Sequence, residues 1–75
     1  MPRQLIEFLV RQMVDHPDEA QVEATGEKSV MIDIKVAPGD AGRIIGKHGR
    51  NIKALRTLAR AAAGSNRHVS VDVKA

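Results

Sequence analysis

Apolar residues recur along this chain with two different periods, and the switches between them lay out its elements. Leu5, Ile6, Leu9, Val10, Met13 and Val14 return at helical spacing, with Phe8 beside them. That spacing predicts an amphipathic helix over residues 3–15, stopped by Pro17. Val22 and Ala24 then alternate with Gln21, Glu23 and Thr25, a short strand, and Gly26-Glu27-Lys28 supplies a hairpin turn. Val30, Ile32, Ile34 and Val36 alternate with Met31, Asp33 and Lys35, the clearest strand of the sequence, which Pro38-Gly39 ends. Asp40 fits the N-cap of a short helix through Ile45. A second helix is expected over Arg50–Ala63, with Gly64 at the position after its last turn. Val69, Val71 and Val73 alternate with Ser70, Asp72 and Lys74 in a final strand.

The predicted order is helix, strand, strand, helix, helix, strand. No linker, repeat or low-complexity tract interrupts it, so residues 1–75 are expected to form one domain, with a core only marginally self-sufficient at this length. Between the last two helices lies Gly46-Lys47-His48-Gly49. Two glycines three apart let a loop run close to a flat, charged ligand without Cβ atoms in the way. The helix opening after the loop aims backbone N–H groups and a partial positive charge at the same place, and Lys47 and Arg50 add full charges. A phosphate of a nucleic-acid backbone suits that combination.

Charge sharpens this picture. Residues 1–41 carry four Lys/Arg against eight Asp/Glu, a net of −4, whereas residues 42–75 carry eight Lys/Arg against Asp72 alone, a net of +7. The overall +3 hides this asymmetry. A basic half points to one face for a polyanion, and a solvated basic helix is the plain alternative. Along Arg50–Ala63, Ile52, Leu55, Leu58, Ala59 and Ala62 share a wide arc, while Lys53, Arg56 and Arg60 cluster in a narrow one. The basic row extends the phosphate track from Lys47 and Arg50, or else keeps an exposed helix soluble. Ala54 and Ala61 lie at one margin of the apolar arc and Ala63 at the other. That surplus of small and apolar surface, with Leu58 and Ala62, is compatible with helix pairing between subunits, though alanine is also a good helix former.

Composition removes several chemistries. The chain has no cysteine, which excludes disulfides and thiolate zinc sites, and His16, His48 and His68 have no ligand-type spacing. No metal or other cofactor is expected. Glu7 and Arg11 break the apolar N-terminal stretch, so it is read neither as a signal peptide nor as a membrane span, and a cytoplasmic protein is the default. A Walker A loop needs four residues between its glycines and a hydroxyl after the lysine; here three residues separate Gly42 from Gly46, and His48 follows Lys47. The carboxylates show no convergent pair, and catalysis is not expected. With no Trp or Tyr and Phe8 alone, base stacking on aromatic platforms is not available. One site should therefore bind modestly, and two sites on a dimer would recover affinity through effective concentration.

The glycine loop between two helices, with Ile44 and Ile45 before it and Ile52 after it, resembles the signature of the KH domain. The element order resembles the type II arrangement of that α+β fold, a three-stranded sheet packed on one side by three helices. The run from Val36 through Ala63 is similar to the KhpA family, the small stand-alone KH proteins of bacteria. The resemblance implies a cytoplasmic RNA-binding protein that forms homodimers and pairs with a larger KH-containing protein of the KhpB type. It also implies that Gly46 and Gly49 allow close approach of a single strand while Lys47 and His48 face its phosphates; on charge and position, Arg43, Arg50, Lys53 and Arg56 are expected to bind RNA beside them. Ile44, Ile45 and Ile52 would lie on or under the floor of an apolar groove, and the exposed edge of the strand Met31–Val36 would form its opposite wall. At His48 a neutral imidazole can donate a hydrogen bond, or the residue is a solvent-exposed spacer. Two functions remain: a single-stranded RNA binder acting as chaperone or post-transcriptional regulator, or a dimerisation and recruitment module for which RNA contact is secondary.

Overall fold

A computed structural model describes residues 2–64 and 66–74. The chain runs through α1 (Pro2–Met13), β1 (Gln21–Thr25), β2 (Ser29–Lys35), α2 (Ala41–Ile45), α3 (Arg50–Ala63) and β3 (His68–Lys74), with single 3-10 turns at Pro17–Glu19, Pro38–Asp40 and Lys47–Gly49. All six elements stand where the periodicity places them. The type II KH order and the α+β class are both observed.

Strand order in the sheet is β1-β2-β3. β1 runs antiparallel to β2, with Val22 opposite Ile34, and β3 runs parallel to β2, with Val71 opposite Ile32. A parallel neighbour requires a crossover, which α2, the glycine loop and α3 provide. Alternation then sorts the side chains. Val22, Val30, Ile32, Ile34, Val69 and Val71 are buried against Ile6 and Val10 of α1, Ile44 of α2, and Leu55 and Ala59 of α3. Every one of these positions is aliphatic, and the core contains no aromatic ring. The other sheet face is open, and on it Glu23, Asp33 and Asp72 stand abreast in register.

Three expectations change, and Phe8, whose burial the sequence left open, finds its place. β2 is paired on both sides, so the strand Met31–Val36 has no exposed edge; β3 is the free edge beside α3. Ala24 is exposed, leaving Val22 as the single buried side chain of β1. Phe8 points outward at 61% exposure, because Ile6 and Val10 already fill the line of contact between α1 and the core. Asp40 occupies the N-cap position of α2 but makes no capping bond with its side chain. Gly64 closes α3 as expected, its N–H donating to the Arg60 carbonyl at 3.2 Å with φ at +94°.

Candidate nucleic-acid interface

The glycine loop is held by backbone conformation. Gly46 has φ +75° with ψ 172°, a region that only glycine adopts without strain, and Gly49 has φ +74° with ψ 18°, the left-handed region that favours glycine. Between them His48 has φ +58° and ψ +25°, a left-handed conformation unusual for a residue with a Cβ. The Gly46 N–H ends α2 on the Gly42 carbonyl at 2.8 Å, and the Gly49 N–H turns back to the Gly46 carbonyl at 3.1 Å. No side chain caps the start of α3, so its positive end opens directly onto the loop.

Asn51, which the sequence did not single out, completes the loop. Its Nδ2 donates to the Arg43 carbonyl at 2.8 Å, joining α3's first turn to α2. A Cβ on Gly46 would lie 2.7 Å from the Asn51 Cγ. Gly46 is therefore required twice, by its φ and by the asparagine packed beneath it. The available signal was a poor helix former in a helix's first turn, where a short polar side chain usually serves the backbone.

The flanks of α3 divide as the helical wheel predicts. Taking Ile52 as origin, Arg56, Arg60 and Lys53 lie at about 40°, 80° and 100°. This flank faces β3: the Arg60 Nε donates to the Val69 carbonyl at 3.3 Å. The His68 N–H and Lys74 carbonyl are bonded to the β2 side, so the alternate residues Val69, Val71 and Val73 turn their backbone groups to the free edge. Lys47, His48, Arg50 and Lys53 are exposed and Arg56 is half-buried. Among the described residues none of these five has a carboxylate partner within ion-pair distance.

Arg43 differs from them. Its Nη2 lies 2.9 Å from Asp15 Oδ2 and its Nε 3.9 Å from Asp40 Oδ1, so its charge is answered inside the protein. The isoleucines also separate. Ile44 is fully buried and belongs to the core beneath the loop, Ile52 is half-buried, and Ile45 is 42% exposed at the end of α2. Only the last two can present apolar surface to a ligand.

The opposite flank of α3 meets α1. Ala54 and Leu58, with Asn51 and Leu55, line an open apolar depression against Leu9 and Met13. Leu58 is 44% exposed. Ala61 and Ala62 are exposed but lie outside that depression. The wide apolar arc is thus only half used by the core, which takes Leu55, Ala59 and parts of Ile52 and Ala63.

Residues 3–75 match the family model described as KhpA/KhpB, KH domain. The chain belongs to this KH family. An "RNA-binding protein KhpA" of Clostridium acetobutylicum is 49% identical over 73 residues, covering 95% of this chain and 97% of the relative. The same name is carried by a Clostridium perfringens protein, 41% identical over 95% of this chain and 97% of its own length. A Borreliella burgdorferi protein of that name is 43% identical over 93% of this chain and 88% of its own. No solved structure matches the chain. The KH family is one of binding domains, not of enzymes. Among the described residues no helix is long and apolar enough to cross a membrane.

Proposed function

We propose that this KH domain binds single-stranded RNA in the cytoplasm, as an RNA chaperone or post-transcriptional regulator. The loop Gly46–Gly49 grips the strand's backbone, with Lys47, His48 and Arg50 on the phosphates. Bases lie between the Lys53–Arg56–Arg60 flank of α3 and the free edge of β3, over Ile45 and Ile52. The carrying observation is that cations of α3 without a carboxylate partner stand on the flank that faces the strand edge left free by the sheet, with two positive-φ glycines at the start of the same helix. The name borne by the relatives supports the reading. Phosphate contacts give affinity, and the Val71 N–H and C=O on the edge of β3 suit the Watson–Crick edges of unstacked bases, the Val69 carbonyl being held by Arg60 and the Val73 N–H by the Asp72 side chain.

Lys47→Asp with His48→Asp tests this. Aspartate tolerates the left-handed backbone at position 48, so the loop keeps its path while its charge reverses. Affinity for single-stranded RNA should fall at least about tenfold with the fold and self-association intact. Undiminished RNA retention by that variant contradicts the reading.

A second reading is favoured by the depression that Ala54 and Leu58 form with Leu9 and Met13. On it the domain pairs with a second copy, or with a KhpB-type KH protein, through the flank of α3 bearing Ala54, Leu58, Ala61 and Ala62. Pairing also offsets the modest affinity of a groove without aromatic platforms. Sedimentation of the unmodified chain as a monomer alone and in the presence of a KhpB-type protein refutes it.

A further inference from the structure

Among the described residues one charged side chain is buried: Asp40, at 1% exposure. It begins α2 yet serves the chain that leaves α1. Its carboxylate accepts the N–H of Asp15 at 3.3 Å and of His16 at 3.1 Å, and the His16 Nδ1 lies 3.2 Å from Oδ2. Arg43, one turn further along α2, closes the cluster on Asp15 and Asp40. The backbone of Arg43 then leads to the loop, since its carbonyl receives the Asn51 Nδ2 and Asn51 lies under Gly46.

A helix of five residues does not hold its own orientation, because nucleation is costly and few bonds repay it. α2 is instead pinned at both ends. Asp40 fastens its start to the exit of α1, Asn51 fastens its last turn to α3, and the glycine loop hangs between the two. We propose that Asp40 is a positioning residue for the glycine loop, acting through α2 and the Arg43–Asn51 bond to hold Gly46–Gly49 in the gripping conformation. Its effect on affinity rests on the RNA-binding reading; its effect on loop geometry does not.

The cluster also titrates. The bond to Asp40, then its charge, raises the His16 pKa, with Glu19 and Asp15 adding to the effect. Burial pushes Asp40 upward, but the N–H groups of Asp15 and His16 and the His16 ring outweigh it and leave the carboxyl below its ordinary value. The charged groups facing the cluster are Asp15, His16 and Glu19 after α1 and Arg43 on α2.

The test follows backbone amide resonances in the full chain, with binding of a short single-stranded oligouridine measured in parallel. Asp40→Asn should displace the Gly46 and Gly49 resonances, leave those of β1 in place, and lower oligouridine affinity about fivefold. A folded Asp40→Asn protein whose glycine resonances match the parent overturns the proposal. If the parent fails to bind oligouridine, the RNA-binding reading is what fails, and the glycine resonances still decide the positioning role. Should Asp40→Asn not fold, the decision passes to a pH titration in a His48→Asn background, which removes the loop's own imidazole and keeps a residue that tolerates φ > 0. There Gly46 and Gly49 should move with the same midpoint as the His16 ring, and His16→Asn should abolish that movement. Glycine resonances indifferent to His16 titration refute the coupling.

Discussion

The two flanks of α3 carry different surfaces over one shared core. One presents Lys53, Arg56 and Arg60 to the free edge of β3; the other presents Ala54 and Leu58 to Leu9 and Met13 of α1. Leu55 and Ala59 lie buried between them. An amphipathic helix usually divides into a buried stripe and a solvated face. Here the exposed part divides again, into a charged side beside a strand edge and an apolar side beside a helix. The lesson concerns ligands: on the proposed reading the first side takes a polyanion with hydrogen-bonding bases, and the second takes another packed protein surface.

The largest expected effect comes from reversing the charged side. Lys53→Glu with Arg56→Glu should weaken single-stranded RNA binding on the order of a hundredfold at low salt and leave sedimentation unchanged. Loss of self-association in that variant would merge the two flanks into one surface and break the comparison. Next comes the loop that ends the charged side. Gly46→Ala must tolerate φ +75° and displace the Asn51 side chain, a cost of about 2 kcal/mol in urea unfolding.

A smaller effect belongs to the apolar side. Leu58→Asp should give a monomer by sedimentation and reduce affinity for long RNA about tenfold through lost avidity, with binding of a short oligonucleotide unaffected. The smallest effect is on pH. The raised His16 pKa means its contribution is complete below that group's unfolded value and is lost as pH rises through the folded one. The lowered Asp40 pKa gives the opposite limb, a contribution present above its unfolded value and lost as pH falls through the folded one. Stability should therefore be highest between the two, and His16→Asn should flatten the alkaline limb in urea melts taken across pH.

The elements were legible because each is a local pattern: period two in Val30-Ile32-Ile34, helical spacing in Ile6-Val10, two glycines around Lys47-His48. Strand order was not. Val69-Val71-Val73 alternates just as Val30-Ile32-Ile34 does, and nothing in alternation separates a central strand from an edge, so the free edge that the KH resemblance implies for Met31–Val36 is absent, and the strand with a free edge beside α3 is β3. Partners distant in sequence were equally hidden. Asp40 reads as an N-cap from its neighbours, but its donors, Asp15 and His16, lie some 25 positions earlier. Arg43 reads as one more cation of the basic half until Asp15 is found 2.9 Å away. Asn51 carries no charge or motif, and its role appears only when α2 and α3 are seen to converge beneath Gly46.

The central claim is that RNA occupies the space between the basic flank of α3 and the edge of β3. Amide resonances followed while a single-stranded RNA is titrated into the protein test it most directly. Gly46, Gly49, Lys53, Arg56 and the edge residues Val69, Val71 and Val73 should move together and saturate at one ratio, with Leu58, Leu9 and the open-face residue Met31 unmoved. Movement concentrated on Leu58 and Leu9, with the glycine loop and β3 unchanged, would contradict the account.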